Sequence, residues 1–248
     1  MIARSFDRGA RRYDELANVQ HQVADKLLAM VFPQVQQAAS IVDLGCGTGR
    51  LLAACRASNS RAQLIGVDIS SKMLAQLAER KLDATLRKES LERTGLNANS
   101  HDLVLSSSAM QWADIGLALN EAARICATGG KVSIACFLHG TLASWRAIWG
   151  GNHQVMPDSQ MIIDAAENAG LTMLNSRIET IVDQQRSFRG ALASVKGIGA
   201  GGNGGQVAQF MGKKRLIEAE EMFMQKVVDE AAFPMEYEVL YLCAQKEA

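Results

Sequence analysis

Apolar residues follow helical spacing near the start of the chain and form short runs after it. In residues 11–31 they recur every three or four positions, at Leu16, Val19, Val23, Leu27 and Met30. This spacing predicts an amphipathic helix. Short apolar runs then alternate with helical stretches, as strands over 40–45, 61–70, 101–108 and 131–138 and helices over 51–58 and 115–127. Strands that alternate with helices are typical of an α/β fold with a parallel sheet.

The last hundred or so residues are less regular. A helix is predicted near 158–169, and alternating apolar positions predict strands over 171–182 and 234–245. Helical patterns over 187–196 and 207–230 flank a glycine-rich run between these two strands. An insertion of that size at the end of a sheet is more often a lid or specificity cap than packing filler.

These elements predict one domain with three parts. They are an N-terminal helical cap (1–35), a Rossmann-like core (38–183 and 234–246) and a helical lid inserted before the last strand (184–233). Within the core, Gly129 and Gly130 are expected to cap the helix over 115–127, because glycine adopts the left-handed conformation that often ends a helix.

Composition narrows the class of protein. The chain has 248 residues and is 48% hydrophobic, which is enough for a buried core. Its 26 basic and 26 acidic residues balance, so the overall basic excess typical of nucleic-acid or membrane-surface binding is missing. The five scattered cysteines form no CxxC pair, and the four histidines lack metal-site spacing. We therefore expect a cytoplasmic protein that needs no metal and binds neither nucleic acid nor membrane.

A glycine-rich loop follows the first strand and precedes a helix. It reads Asp43-Leu44-Gly45-Cys46-Gly47-Thr48-Gly49, and Arg50 stands where the dinucleotide fingerprint needs its last glycine. The carboxylate of Asp43 would repel a pyrophosphate and attract a ligand that carries an ammonium and a sulfonium. S-adenosylmethionine carries both cations and no phosphate, so the loop favours this methyl donor over NAD.

Asp68 ends the second strand, 19 positions after Gly49, where an acidic side chain accepts hydrogen bonds from a ribose diol. Ile69 and Met73 follow as candidates for packing against adenine, although both positions are also common in a core. The alternative interpretation of the whole segment is a structural turn with two capping acids.

Over residues 38–138 the chain resembles class I S-adenosylmethionine-dependent methyltransferases. Several outlying features together resemble one family, the malonyl-[acyl-carrier protein] O-methyltransferases of biotin synthesis. They are Phe6, Tyr13 and Gln20, the segment Ser106 to Trp112, Gly140-Thr141-Leu142 with Trp149, the segment Ser194 to Ala200, and Phe233-Pro234-Met235 with Tyr237. The resemblance implies a mostly parallel, seven-stranded sheet and methylation of the free carboxyl of a malonyl thioester, with S-adenosylhomocysteine as product.

The resemblance also implies site residues. Tyr13, Gln111 and Lys196 are the candidate catalytic residues. The candidate cofactor-binding residues are Gln20, Asp43, Gly45, Cys46, Gly47, Gly49, Asp68, Ile69, Met73, Ser90, Leu91 and Ser106. Among the departures from the family pattern, Ser90, next to Glu89, stands where such enzymes usually carry an aspartate that accepts from the adenine amino group. We expect the serine oxygen, Glu89 or the backbone of Leu91 to take that role.

The neutral total charge hides a regional asymmetry. Residues 184–215 carry no acid and six cations, Arg186, Arg189, Lys196, Lys213, Lys214 and Arg215. Because an acyl-carrier protein is acidic, these cations are its candidate docking site; the alternative is an ordinary solvated face. Since a malonyl carboxyl is ionised near neutral pH, the expected reaction needs no strong base. Methylation of another small acid or metabolite, and binding of S-adenosylmethionine without catalysis, remain alternatives.

Overall fold

Seven strands form a single sheet in the computed structural model, which describes residues 2–149, 156–185, 187–197, 217–218, 220–221 and 233–247. In chain order the strands are β1 (Ser40–Leu44), β2 (Gln63–Val67), β3 (Thr85–Arg87), β4 (His101–Ser107), β5 (Cys126–Phe137), β6 (Leu171–Gln185) and β7 (Phe233–Lys246). Their order across the sheet is β3-β2-β1-β4-β5-β7-β6. β7 runs antiparallel to β5 and β6, and the other neighbours pair in parallel. The expected seven-stranded, mostly parallel sheet is therefore confirmed.

Helices cover both faces of this sheet. In the described residues they are α1 (Ile2–Gly9), α2 (Tyr13–Leu16), α3 (Asn18–Met30), α4 (Phe32–Gln37), α5 (Arg50–Ser58), α6 (Ser71–Glu79), α7 (Ile115–Ile125), α8 (Ala143–Trp149), α9 (Ser159–Asn168) and α10 (Phe188–Gly197). One apolar layer includes Leu27 of α3 and Leu52 of α5, and the opposite layer includes Leu119 of α7 and Ile162 of α9. None of these helices has the length and hydropathy needed to cross a membrane.

The N-terminal helix predicted over 11–31 is interrupted. Ala17, with φ −84° and ψ 37°, separates α2 from α3, while the apolar stripe of Val19, Val23 and Leu27 is buried as expected. A further helix, α1, precedes them and joins α2 through a short 3₁₀ segment at Ala10–Arg12. The break lets residues 2–16 turn back over the carboxyl ends of the strands.

Some boundaries differ from the prediction. The helix α7 ends at Ile125, and Gly129 adopts its left-handed φ of 76° within β5, so the expected glycine cap is wrong. The reason is pairing, because His101 of β4 already faces Cys126 in the sheet. β3 has three residues and leaves no periodic pattern of its own. The helical pattern over 207–230 lies almost entirely outside the described residues.

Candidate functional site

The loop between β1 and α5 adopts a conformation that depends on its three glycines. Gly45, Gly47 and Gly49 have φ values of 77°, 53° and 86°. A Cβ atom on Gly45 would lie 2.2 Å from Cβ of Ala109, and one on Gly49 would lie 2.1 Å from Cδ1 of Leu77. Apart from its two chain neighbours, no described residue has an atom within 4 Å of the same position on Gly47. Gly45 and Gly49 therefore permit close packing, whereas Gly47 leaves open space above the loop.

Asp68 connects this loop to the end of β2. One carboxylate oxygen accepts the backbone N–H of Gly47 at 2.8 Å, and the other accepts that of Ser70 at 2.8 Å. Ser70 in turn caps α6, because its hydroxyl accepts from the backbone of Met73 at 3.1 Å. Burial raises the pKa of Asp68. Each oxygen keeps a lone pair, so the carboxylate can still accept from the hydroxyl groups of a ligand.

A cavity of about 210 Å³, the larger of two that adjoin each other, opens above the loop, between Asp68 and the residues that follow β3 and β4. Of the predicted cofactor residues, seven line it: Gly45, Gly47, Asp68, Ile69, Met73, Ser90 and Leu91. Ile69 is 46% exposed, so its side chain is not a core residue but an apolar wall of the cavity. Met73 is buried beneath it.

A second acid, Glu92, lies near Ser90, which stands where the family usually has an aspartate. Glu92 lines the larger cavity beside Ser90, whereas Glu89 is exposed and lies outside the lining. The Ser90 hydroxyl donates to Glu92 at 3.3 Å, and the other Glu92 oxygen accepts from the backbone of Asp114 at 2.8 Å. The turn that pairs Ser90 with Arg93 brings residues 90 and 92 together. The sequence pattern does not predict Glu92 as a site residue, because only the turn at Ser90 brings its side chain to the cavity.

Four predicted cofactor residues lie around the larger cavity without lining it. Gly49 packs against Leu77, and the Cys46 side chain packs close to Gly66, where burial raises the pKa of its thiol. The Ser106 hydroxyl is buried and donates to the carbonyl of Leu44 at 2.7 Å. The fourth is Asp43, which is buried beneath the loop.

The chemistry of Asp43 suits a cationic ligand. Its Oδ1 has no hydrogen-bond partner among the described residues, and burial, with a smaller effect from Asp68, raises its pKa to about 8. A nearby positive charge would favour the ionised form and recover the cost of burying it. Two acids at one loop, with an apolar wall at Ile69, therefore fit a ligand that combines a ribose, an adenine and a cationic group.

A smaller cavity of about 50 Å³ adjoins the larger one. Four residues line both cavities: Phe6, Tyr13, Ser108 and Trp112. The smaller cavity is otherwise lined by Gln20, Gln111, Phe137, Thr141, Leu142, Met156 and Tyr237. Its aromatic walls include an edge-to-face pair, Phe6 and Trp112, with ring centroids 5.7 Å apart. The predicted cofactor residue Gln20 therefore lines the smaller cavity and not the larger one.

The N-terminal segment, residues 2–16, is fastened over the loop by two aspartates. Asp7 accepts from the Ser70 hydroxyl at 2.7 Å, and Asp14 accepts from the Thr48 hydroxyl and from Arg80, each at 2.6 Å. These contacts hold Tyr13 where the two cavities meet. Burial and the nearby charge of Asp68 raise the pKa of Tyr13, so its phenol stays protonated and can only donate or accept as a neutral group.

The structure describes only some of the remaining catalytic and carrier candidates. Gln111 is buried, donates to the carbonyl of Ser108 at 2.7 Å and accepts from the thiol of Cys136 at 3.6 Å. Arg189 is exposed on α10, which packs against α2, β6 and β7. Lys196 belongs to the same helix, and its side chain is not described. Four carrier candidates lie outside the described residues: Arg186, Lys213, Lys214 and Arg215.

Comparison with known proteins agrees with this geometry. A family model described as a methyltransferase domain matches residues 42–134. The chain is 30% identical to the malonyl-[acyl-carrier protein] O-methyltransferase of Herminiimonas arsenicoxydans, over 99% of this chain and 95% of that one. It is 31% identical to the protein of the same name from a Marinomonas species, over 99% and 93% of the two chains.

Solved structures show the same fold at low sequence identity. The YcgJ protein of Bacillus subtilis aligns with a TM-score of 0.65 at 13% identity, over 90% of this chain and 99% of that one. The phosphoethanolamine N-methyltransferase 2 of Haemonchus contortus, solved with S-adenosylhomocysteine, aligns with a TM-score of 0.58 at 20% identity, over 90% and 53%. The fold, the glycine loop and Asp68 thus define a class I methyltransferase. Its relatives across the full length are more specific, and the chain belongs to the malonyl-[acyl-carrier protein] O-methyltransferase family.

Proposed function

We propose that the larger cavity binds S-adenosylmethionine and that the protein transfers its methyl group to the free carboxyl of a malonyl thioester held by an acyl-carrier protein. Asp68 would accept from the ribose hydroxyls, and Ile69, Met73 and Leu91 would flank the adenine. Ser90 and Glu92 would face its amino group. Asp43 would supply negative charge beneath the cationic end of the ligand.

When bound, S-adenosylmethionine supplies an electrophilic methyl group on a positively charged sulfur. The chain must hold the acceptor oxygen in line with that bond and keep water away. Phe6, Tyr13 and Trp112 form the common wall of the two cavities, so they suit this positioning. A carboxylate oxygen held there would accept the methyl group, and the electron pair of the broken C–S bond would remain on sulfur. Charge is neutralised in this step, which a dry aromatic site favours.

The observation that supports a carboxylate acceptor is the chemistry of the smaller cavity. Its described lining contains no histidine and no charged residue, although it adjoins the larger cavity directly. A hydroxyl or amine acceptor that loses a proton needs a base in reach, whereas a carboxylate is already ionised above its reference pKa of about 4. Tyr13, with its raised pKa, is a neutral donor and not a base.

A carrier protein would dock on cations near the opening of these cavities. Arg189 is a candidate because its helix α10 contacts α2, which contains Tyr13 of both cavity linings. Exposed arginines on the N-terminal segment, Arg4, Arg8 and Arg11, are further candidates. Because α10 packs against α2, the two groups lie at one end of the molecule. Residues 184–233 would form the lid over the bound acyl chain. These positions suit the acidic surface of an acyl-carrier protein.

A methyl-transfer assay tests the function. The protein is incubated with methyl-labelled S-adenosylmethionine and, separately, malonyl-acyl-carrier protein, malonyl-coenzyme A and small free acids. We expect label on the malonyl thioesters, with the carrier-bound form preferred. Label on small acids alone would support a different methyltransferase. Cofactor binding without transfer to any of them would support a non-catalytic role.

The docking site has its own test. Arg189→Glu should raise KM for the carrier-bound substrate by about tenfold, more at low salt than at high salt, and leave KM for malonyl-coenzyme A unchanged. Arg61→Glu is the matched control, since Arg61 is exposed just before β2, at the opposite end of the strands. Equal effects of the two variants would contradict docking at α10.

A further inference from the structure

We infer that the smaller cavity is a subsite for the three-carbon malonyl head and that the Ser108 hydroxyl donates to the carboxylate oxygen that is not methylated. This inference rests on the proposed function and names the residue that recognises the acid. It follows from the geometry of Ser108, the size of the cavity and the chemistry of its lining.

Ser108 is one of the residues that line both cavities. Its Oγ is buried and has no hydrogen-bond partner among the described residues. A buried hydroxyl without a partner is costly, so its presence needs a reason. A carboxylate bound in the smaller cavity would supply the missing acceptor.

The backbone of Ser108 is strained and held from two sides. Its φ of 55° is left-handed, which a residue with a Cβ rarely adopts. Its N–H donates to the carbonyl of Ala135 at 2.8 Å, and its own carbonyl accepts from Gln111 at 2.7 Å. Strained residues held in this way concentrate at functional sites, where the strain fixes the direction of a side chain.

The cavity is the right size for a short acid. A single water needs roughly 10–15 Å³, so about 50 Å³ holds a few non-hydrogen atoms. That suits a methylene and a carboxylate better than the longer chain of a glutaryl or pimeloyl group. Phe137 and Tyr237, with ring centroids 5.7 Å apart, close one side.

The lining offers a neutral donor, which is what the reaction requires. A fixed cation would stabilise the carboxylate more before the reaction than in the transition state, where its charge is disappearing. A hydroxyl holds the same group with a smaller penalty. The other aliphatic hydroxyl in the described lining, that of Thr141, is already engaged with the backbone carbonyl and N–H of Glu238, at 3.0 and 3.1 Å.

Gln111 is then a positioning residue. Its amide fixes the carbonyl of Ser108, so it acts on the acid through Ser108. Gln111→Met removes that donor at similar volume. We expect KM for the malonyl thioester to rise about fivefold while the dissociation constant for S-adenosylmethionine stays the same. A purely structural role would instead lower the amount of folded protein and leave KM of the remaining enzyme unchanged.

The direct test removes the hydroxyl in two ways. Ser108→Ala deletes only the oxygen, and Ser108→Gly also relieves the left-handed backbone. Both should raise KM for malonyl-coenzyme A at least about tenfold, and the dissociation constant for S-adenosylmethionine, measured by calorimetry, should change less than twofold. Because the glycine variant suits the backbone conformation, a loss in both variants cannot be assigned to misfolding.

The outcomes separate this inference from the proposed function. If the wild-type protein methylates malonyl-coenzyme A and neither Ser108 variant alters its KM, the subsite assignment is wrong while the function stands. If both variants weaken S-adenosylmethionine binding as much as they raise KM, the hydroxyl belongs to the larger cavity and the inference is again wrong. If the wild-type protein methylates no malonyl thioester, the proposed function itself fails.

Cavity size gives an independent readout. Leu142 lines the smaller cavity with a left-handed φ of 55°, so Leu142→Gly enlarges the cavity and suits the backbone. We expect the ratio of glutaryl- to malonyl-coenzyme A methylation to rise about tenfold in this variant. An unchanged ratio would show that the malonyl head lies elsewhere.

Discussion

The two cavities are built from different kinds of sequence. Most of the residues that line the larger cavity fall within 45–47, 68–73, 90–92 and 107–113, which are short segments at the ends of neighbouring strands. The smaller cavity collects side chains from Phe6 near the start of the chain to Tyr237 near its end. A motif can mark the first kind of site because its residues are adjacent in sequence. The second kind depends on the tertiary fold, so no local pattern announces it.

The largest expected effect lies at the ribose position. Asp68→Asn removes a charge that aligns Gly47 and Ser70, and we expect S-adenosylmethionine to bind up to about 100-fold more weakly. Asp102→Asn is the control, because Asp102 also accepts two backbone N–H groups, those of Ala39 and Ser40, at the opposite end of the sheet. Calorimetry should find the control within twofold of the wild type. Similar losses in both variants would remove Asp68 from the site.

The glycine loop allows packing and binding to be separated. In Gly49→Ala the backbone is left-handed and the new methyl group would clash with Leu77. We therefore expect the free energy of unfolding to fall by about 3 kcal/mol. Gly47→Ala meets only the backbone penalty, of about 1 kcal/mol, but its methyl group would enter the larger cavity. Cofactor affinity should therefore fall about 30-fold in Gly47→Ala.

Denaturant unfolding and calorimetry on the same two variants check this division. The affinity of folded Gly49→Ala for S-adenosylmethionine should change much less than that of Gly47→Ala. If Gly49→Ala instead lost affinity and kept its stability, the two glycines would have exchanged roles. The structural distinction between open space and close packing would then be wrong.

A moderate effect is expected at Asp43, and it depends on pH. The pKa of this acid in the folded protein is about 8, whereas it is near 4 in an unfolded chain. Between these values the folded state keeps a proton that the unfolded state has released, so stability falls as pH rises. Asp43→Asn lacks this penalty. Its free energy of unfolding, relative to that of the wild type, should therefore increase from pH 4 to pH 8.

Cofactor binding should show the opposite trend at Asp43. A cationic ligand favours ionised Asp43, so wild-type affinity for S-adenosylmethionine should rise as pH approaches 8, where Asp43→Asn should bind about tenfold more weakly. The two affinities should converge near pH 5. Parallel curves for the wild type and the variant would show that Asp43 does not respond to the ligand.

The same difference between the two cavities explains how much of the fold and the site the sequence predicts. The alternation of strands and helices, the glycine loop and Asp68 follow from local patterns, since parallel strands bring their carboxyl ends to one edge. The break at Ala17 and the partnerless hydroxyl of Ser108 depend on contacts between distant segments. Glu92 was missed for a related reason, because only the turn at Ser90 brings it to the cavity. The exposure of Ile69 likewise required the fold to distinguish a cavity wall from a core residue.

The smallest effect is expected in the N-terminal segment, which contributes residues to both cavities. Ionised Asp7 accepts from Ser70 and from the backbone of Lys72, and these bonds hold its pKa below the usual range. Asp7→Asn should speed amide hydrogen exchange in residues 2–16 a few-fold at pH 7, and this difference should vanish as pH falls through that lowered pKa. Glu15→Gln disrupts only an exposed ion pair with Arg12 on the same segment, so exchange should not change. If the Asp7 variant raised KM for only one of the two substrates, the segment would serve one cavity instead of closing both.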